Sequence, residues 1–399
     1  MSLAGKGIFI IGAKRTPFCN YGGPLRDVQA CHLFAAAAKD AIRAANIEAS
    51  VIDQTVVGNV NYLSQCDGGK TPRYCGIYSG LPIERPALGV SKACGTGIQA
   101  VISGAVDIVF GTSNVCLSGG TEQMSSLPML VRKLRFGTAL GASYQFEDHI
   151  QREFLDSHTG RSLQRMAEET SKKYGIGRKN VDDYTVQSYD KWKEAVRSKL
   201  FINELTSLSV KIKKKDVLVE ADQPCQLDVS VESLNALPAL IDNGDVVTAG
   251  NSAAPADGAA ALVLASEESV LTQNLKPLAR LVGWTTVGVD PQDTAAGAIE
   301  AVRKLLIQHK YGVNDVDLFE INEVFASQAL IAAIELKLDV SKLNVNGGAL
   351  AFGNPVAATG ARMIVHLVHE LRRRNLKRAV AASSCGGGQG VAVLLENTG

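Results

Sequence analysis

Gly347-Gly348-Ala349-Leu350-Ala351-Phe352-Gly353-Asn354-Pro355-Val356-Ala357-Ala358-Thr359-Gly360-Ala361-Arg362 is the stretch from which the rest of this chain is read. A glycine pair and a short apolar run lead through Gly353-Asn354-Pro355 into a helix expected to begin near Ala358. Asn354 places a carboxamide in that loop. Its NH₂ donates hydrogen bonds, but it cannot take up a proton near neutral pH as an imidazole does. His366 lies on the same expected helix, roughly 12 Å along the axis at ~1.5 Å per residue, too far to serve the loop directly.

Three other positions share the glycine-framed setting. Ser91-Lys92-Ala93-Cys94-Gly95-Thr96-Gly97 precedes Ile98, Val101, Ile102, Ala105 and Val109, which repeat at helical spacing. Cys94 is therefore expected at or just before a helix N-terminus, where unpaired N–H groups and the helix dipole favour a thiolate. A buried cysteine beside a packing turn fits the same residues. Ala379–Ser384 reads as a buried strand, followed by Cys385-Gly386-Gly387-Gly388-Gln389-Gly390 and a second strand over Val391–Leu395. Consecutive glycines expose backbone N–H groups as an oxyanion site requires; a tight hairpin with an incidental thiol is the plainer account. Asn322-Glu323-Val324-Phe325-Ala326 joins a strand to a helix over Phe325–Leu338, and Asn322 there either caps the helix or holds a water molecule.

The chain has 399 residues, with 41 basic and 40 acidic side chains, a balance that gives no electrostatic case for nucleic acid as a ligand. Residues 126–249 hold 18 Lys+Arg and 18 Asp+Glu, so this segment reads as a charged insertion over a core rich in Gly, Ala and Val. Helices are expected from Ser162 to Tyr174 and from Val181 to Lys199. The flanks share a layout. A helix over Leu33–Asn46 leads to a strand over Thr55–Val60, and a helix over Thr294–Tyr311 leads to a strand over Leu318–Ile321. A strand over Ala259–Leu264 brings the chain back after the insertion. This alternation predicts an α/β fold with an internal duplication. No stretch is expected to span a bilayer; the best candidate, Ala93 to Phe110, is rich in small residues and contains Asp107. The Lys211–Lys215 run and the Arg372–Arg374 cluster read as solvated surface, or as docking points for a phosphorylated ligand or an anionic membrane face. The eight cysteines show no metal spacing and no disulfide framework, so no metal is expected and a reducing, cytoplasmic setting is the simpler inference. Cys19, Cys31, Cys66, Cys75, Cys116 and Cys225 read as small buried or incidental thiols.

Together these blocks resemble the thiolase family. Arg15-Thr16-Pro17-Phe18, Cys94-Gly95-Thr96-Gly97, Gly119-Gly120-Thr121-Glu122-Gln123-Met124-Ser125, Asn251–Gly258, Asn322–Ala326 and Cys385–Gly390 follow the family's order and spacing over nearly the whole chain. The opening stretch resembles the block ending in G-H-P-x-(G/A)-x-(S/T)-G-A-R, with Asn354 in the place of histidine. The resemblance implies the thiolase fold: two similar βαβαβαββ halves in a layered α-β-α-β-α core, plus an inserted loop domain. The halves would be 1–125 with 250–273, and 274–399, and residues 126–249 would be the acyl-CoA-binding loop domain. It implies acyl exchange between CoA and a carbon nucleophile, with coenzyme A thioesters as substrates, no separate cofactor, and a homodimer or homotetramer.

Carried over by position, Cys94 would hold the acyl group and Cys385 would exchange a proton with the α-carbon of acetyl-CoA. Asn322, with its water, and Asn354 would serve one oxyanion hole; the N–H groups of Cys94 and Gly387 would form the other. His158, Ala253 and Phe325 would lie along the acyl-pantetheine. Thr159 and Val324 depart from the family's methionine and alanine. The wording of the Asn354 and Asn251 blocks is closer to the long-chain β-oxidation type than to the acetoacetyl-specific type. Asn354 keeps a donor but loses a base, a role worth ~10²–10⁴ in rate. His149 and His158, both in the insertion, are the candidates to replace it. Three readings follow: a thiolase with impaired or rerouted base catalysis, a catalytically weak or inactive acyl-CoA-binding relative, or an ordinary member with a substitution introduced at this position.

Overall fold

The computed structural model describes residues 7–224, 226 and 228–399, so Cys225 lies outside the described residues. The first half of the core comprises β1 (Ile8–Arg15), α1 (Ala30–Ala44), β2 (Gln54–Gly58), α2 (Thr71–Tyr78), β3 (Ala87–Val90), α3 (Thr96–Phe110), β4 (Val115–Gln123) and, after the insertion, β5 (Ala256–Ser266). The insertion carries α4 (Leu163–Lys173) and α5 (Arg178–Arg197). The second half comprises β6 (Ala279–Gly288), α6 (Ala296–His309), β7 (Leu318–Ile321), α7 (Ala326–Leu336), α8 (Val356–Arg374), β8 (Arg378–Cys385) and β9 (Gln389–Asn397).

These strands form one sheet path in the order β3-β2-β4-β5-β1-β6-β9-β8-β7. Strand directions repeat across it. In the first half, β2 runs parallel to β3 and β4, whereas β5 is antiparallel to both β4 and β1. In the second, β7 and β8 are parallel, whereas β9 is antiparallel to both β8 and β6. Among the described residues the halves meet in the sheet through two residue pairs, Phe9 with Arg280 and Ile10 with Ala279. The duplication expected from the sequence is thus a repeat of strand order and direction.

The helices complete five layers. α1 packs on β5 and β1, α6 packs on β9 and β8, and α3 and α8 pack on each other between the two half-sheets. This covers β5 on both faces, so Ala256 through Ala265 are all buried and the strand reads as a continuous run of small and apolar residues. By length and composition alone Ala93–Phe110 is apolar enough to cross a membrane, more than the sequence reading allowed. In this fold its helical part, α3, is a mostly buried central helix. Among the described residues, 126–249 add no named strand to the main sheet.

The two basic clusters differ. Lys213 and Lys214 turn a hairpin between Leu208–Ile212 and Lys215–Val219 and lie on the surface. Arg373 instead pairs with Glu370 at 2.7 Å in the last turn of α8, where cations also complement the helix dipole. Cys19, Cys31, Cys75 and Cys116 are buried free thiols, and Cys66 is exposed.

Candidate active site

The repeat places the ends of α3 and α8 side by side. α3 begins at Thr96, directly after Cys94-Gly95, and α8 begins at Val356, directly after Asn354-Pro355. Start and loop are two residues closer than the sequence suggested, because Pro355 takes the cap position itself. A Cβ on Gly97 would lie 2.6 Å from the Ala357 carbonyl oxygen, and one on Gly360 would lie 2.8 Å from the Ile98 nitrogen. Only glycine lets the two backbones approach this closely. Ala93, with φ of 44°, turns the chain sharply so that Cys94 faces a cavity.

That cavity has a volume of about 310 Å³, and its lining includes Cys94, Asn354, Gly386, Gly387, Ala253 and Val324. A narrower recess beside it is lined by both Cys94 and Cys385, together with Phe325. The Cys385 sulfur lies over Gly95, where a Cβ would collide with it. Two thiols separated by most of the second half and the insertion therefore converge at one place.

The electrostatics correct one expectation. Burial raises the Cys94 pKa to about 11, outweighing its own N–H and that of Gly386, and the nearby Glu153 charge adds to the rise. The helix start thus does not deliver a free thiolate. Burial likewise pushes Cys385 up to about 12, with Cys94 adding to the shift and Lys92 and the Gly95 N–H opposing it. Both sulfurs rest as thiols.

Asn354 is 6% exposed, and its Oδ1 accepts from Thr359 Oγ at 2.7 Å. This fixes the carboxamide with its NH₂ as the group left for the cavity. Its backbone N–H donates to Ala254 O at 2.9 Å, and the Ala253 N–H donates to Val324 O at 2.9 Å. The segment after the insertion therefore stitches the Asn322 and Asn354 loops together. Asn322 does not cap α7: Phe325 occupies the cap position and makes no side-chain bond there. Asn322 donates instead to Ser383 Oγ at 3.4 Å, and its buried Oδ1 has no partner among the described residues. Asn322 is not among the residues that line the cavity or the recess.

His158 does not reach the cavity. It is exposed, its backbone N–H donates to Asp156 Oδ1 at 3.0 Å, and the neighbouring Asp156 and Ser157 contribute to the lining in its place. His149 is set back from the cavity, with Nδ1 3.4 Å from Glu153 Oε1. Glu153, which the sequence reading missed, does line it.

Glu122 is a second residue whose part was not legible. Its carboxylate accepts from Asn59 Nδ2 at 2.8 Å, from the Asn61 N–H at 3.0 Å and from the Ala357 N–H at 3.2 Å. It ties the loop after β2 to the first turn of α8. Burial raises its pKa to about 8 against those N–H donors. Glu323 does the same for the other side, accepting from Tyr184 Oη at 2.6 Å and Ser188 Oγ at 2.9 Å on α5, and from Asn344 Nδ2 at 2.7 Å.

Known proteins show the same arrangement of domains. Residues 8–268 match the model of the thiolase N-terminal domain, and residues 275–397 match that of the thiolase C-terminal domain. The mitochondrial 3-ketoacyl-CoA thiolase of Bos taurus is 41% identical over 393 residues, which cover 98% of this chain and 99% of the bovine one. The crystal structure of human mitochondrial 3-ketoacyl-CoA thiolase matches with a TM-score of 0.96 at 40% identity, over 98% of this chain and 99% of that one. The human enzyme in complex with CoA matches with a TM-score of 0.95 at 39% identity, over 99% and 98%.

Proposed function

Because this chain belongs to the thiolase family, we propose that it cleaves 3-ketoacyl-CoA with CoA, or runs the reverse Claisen condensation, through an acyl group carried on Cys94. The observation that carries this reading is the convergence of Cys94 and Cys385 on one recess. A pure acyl-CoA binder has no use for two facing thiols.

In the thiolytic direction the Cys94 thiolate attacks the 3-keto carbon. The resulting tetrahedral alkoxide collapses, the bond between C2 and C3 breaks, and the acetyl-CoA carbanion takes the proton of Cys385. The Cys385 thiolate then takes the proton of incoming CoA, whose sulfur displaces the acyl group and frees Cys94. The cavity-facing NH₂ of Asn354 is a donor for a thioester oxygen. The orphaned Oδ1 of Asn322 suits a bound water that passes a hydrogen bond onward to the same oxygen. Gly386 and Gly387 offer backbone N–H groups beside Cys94 for the alkoxide. CoA and acyl-CoA are the ligands of this reading, with no separate cofactor, and family membership supports a homodimer or homotetramer.

Incubation with acetoacetyl-CoA and CoA, read by thioester turnover and by intact mass, tests the proposal. The expected result is turnover with an acyl adduct on Cys94 that is absent in Cys94→Ala. Binding of acyl-CoA with neither adduct nor turnover would overturn it in favour of a non-catalytic acyl-CoA-binding protein.

A further inference from the structure

Asn354 leaves the proposed reaction without the group that deprotonates Cys94, and Cys94 with a pKa near 11 needs one. None of the six histidines lines the cavity. His32 stacks on Tyr78, His309 packs on Gly283, His366 pairs with Glu204, and His369 bonds Ala13 O. His158 is exposed, and His149 stands behind Glu153.

The lining does hold two carboxylates, Glu153 and Asp156. Asp156 is engaged in turning its own loop, accepting from the N–H groups of Thr159 at 2.7 Å and His158 at 3.0 Å. Those bonds, the Thr159 one first, hold its pKa below the ordinary carboxylate value, which suits a loop anchor and not a base. Glu153 is different. It stands at the end of a short helix, His149–Glu153, in the insertion, and reaches the same cavity as Cys94. Asn61, with its amide nitrogen turned toward Glu153, donates to both carboxylate oxygens, one of them at 2.8 Å. His149, on the same helix, has Nδ1 3.4 Å from Glu153 Oε1.

We propose that Glu153 is the general base of this enzyme, taking the Cys94 proton that a histidine at position 354 would otherwise accept. The inference rests on the thiolase reading above. The S–H bond of Cys94 breaks, its proton passes to a Glu153 oxygen directly or across one intervening water, and the sulfur keeps the electron pair for attack on the 3-keto carbon. When CoA displaces the acyl group, Glu153 returns the proton to Cys94, so the cycle closes without net proton uptake. Asn61 is the positioning residue that holds the carboxylate toward the cavity. The Glu153 side chain is 27% exposed, and its partial desolvation in the cavity wall raises its pKa to about 7 although the Asn61 amide opposes the shift. A base with that pKa is poised at neutral pH. Its charge reaches Glu122 and Cys94, and His149 Nδ1 lies 3.4 Å from it.

Glu153→Gln tests this, with Cys94→Ala and Asn354→His as companions. The expected loss in kcat/KM for acetoacetyl-CoA thiolysis is ~10²–10⁴-fold, with the rise of activity through pH 7 removed from the pH profile. Alkylation of Cys94 by iodoacetamide in that variant should be as fast as in the parent or faster, because a neighbouring negative charge is gone; this shows the site is intact. In Asn354→His the same substitution should cost less than about tenfold, since a second base is present. If Glu153→Gln keeps turnover within twofold and keeps the pH profile while Cys94→Ala is dead, the base assignment falls and the thiolase reading stands. If the unmodified protein forms no acyl adduct on Cys94 at any pH, both fall.

Discussion

The Cys94 sulfur shows how burial and a helix start compete at one atom. Two backbone N–H groups favour the thiolate there, yet desolvation wins and the pKa stands near 11. A group with a raised cysteine pKa is a thiol at neutral pH, and its thiolate fraction grows as pH rises. Iodoacetamide capture of Cys94 in the free protein should therefore quicken about tenfold per pH unit above neutrality, with no plateau before pH 10. A plateau near pH 8, followed by intact mass, would show a thiolate that this site does not predict. Gly95 carries a second prediction at this scale. A methyl at Gly95 meets the Cys385 sulfur and lies 2.7 Å from Val391 Cγ1, both in a packed setting. Gly95→Ala should push Cys385 off the recess and lower kcat by roughly 10²-fold or more, since small misplacements of a reacting group cost that much. Single-turnover mass spectrometry should still find some acylation of Cys94, because Cys94 is not the atom displaced.

Among the elements, the pairing of α3 with α8 fixes the distance between the two halves of the site. Their contact near Gly97 and Gly360 is backbone on backbone, and a Cβ placed on Gly97 would lie 2.5 Å from the Ala361 nitrogen. Gly360→Val should force the helices apart. The expected cost is ~1–3 kcal/mol in urea unfolding, with a disproportionate loss of thiolysis because Cys94 and Asn354 separate. The elements themselves were legible in the sequence wherever the signal was local. Periodicity gave α3, α4 and α5, the run after Asp317 gave β7, and Cys385 with its glycines gave the β8–β9 turn. The exposed position of His158 was not legible, because a motif match carries no information on where a loop of the insertion comes to rest. The orphaned Asn322 was not legible either, since capping and water-holding make the same demand on the sequence. Glu153 and Asn61 stand 92 residues apart on different loops, and nothing in either neighbourhood announces the other. Their meeting is a product of the insertion folding back over the loop after β2.

For the whole molecule, one buried charge cluster ties all three parts together. Arg15 on β1 bonds Glu204 at 2.7 Å and Asp222 at 2.6 Å, both from the insertion, and Glu204 meets His366 of α8 at 2.9 Å. Arg15, Glu204 and His366 are each at most 2% exposed, so their charges depend on one another. Burial alone would raise the Glu204 pKa, but Arg15 and then His366 hold it down to about 2. Burial would lower that of His366, but Glu204 more than reverses the effect and raises it. The two shifts act at opposite ends of the pH range. The Glu204 share of stability is full above its unfolded value near 4.5 and is lost as pH falls toward 2. The His366 share is full below its unfolded value near 6.5 and is lost as pH rises through its higher folded value. Glu204→Gln removes the partner of both cations and leaves Arg15 buried with Asp222 alone. Urea unfolding should find it destabilised by ~3–5 kcal/mol, as for other buried ion pairs broken on one side. It should also weaken the decline of stability above neutral pH, because His366 loses the carboxylate that does most to keep it charged, while Glu320 at 3.9 Å remains. A variant as stable as the parent from pH 5 to pH 8 would mean that the insertion is held to the core by its apolar contacts, with the Arg15 cluster contributing nothing to the join.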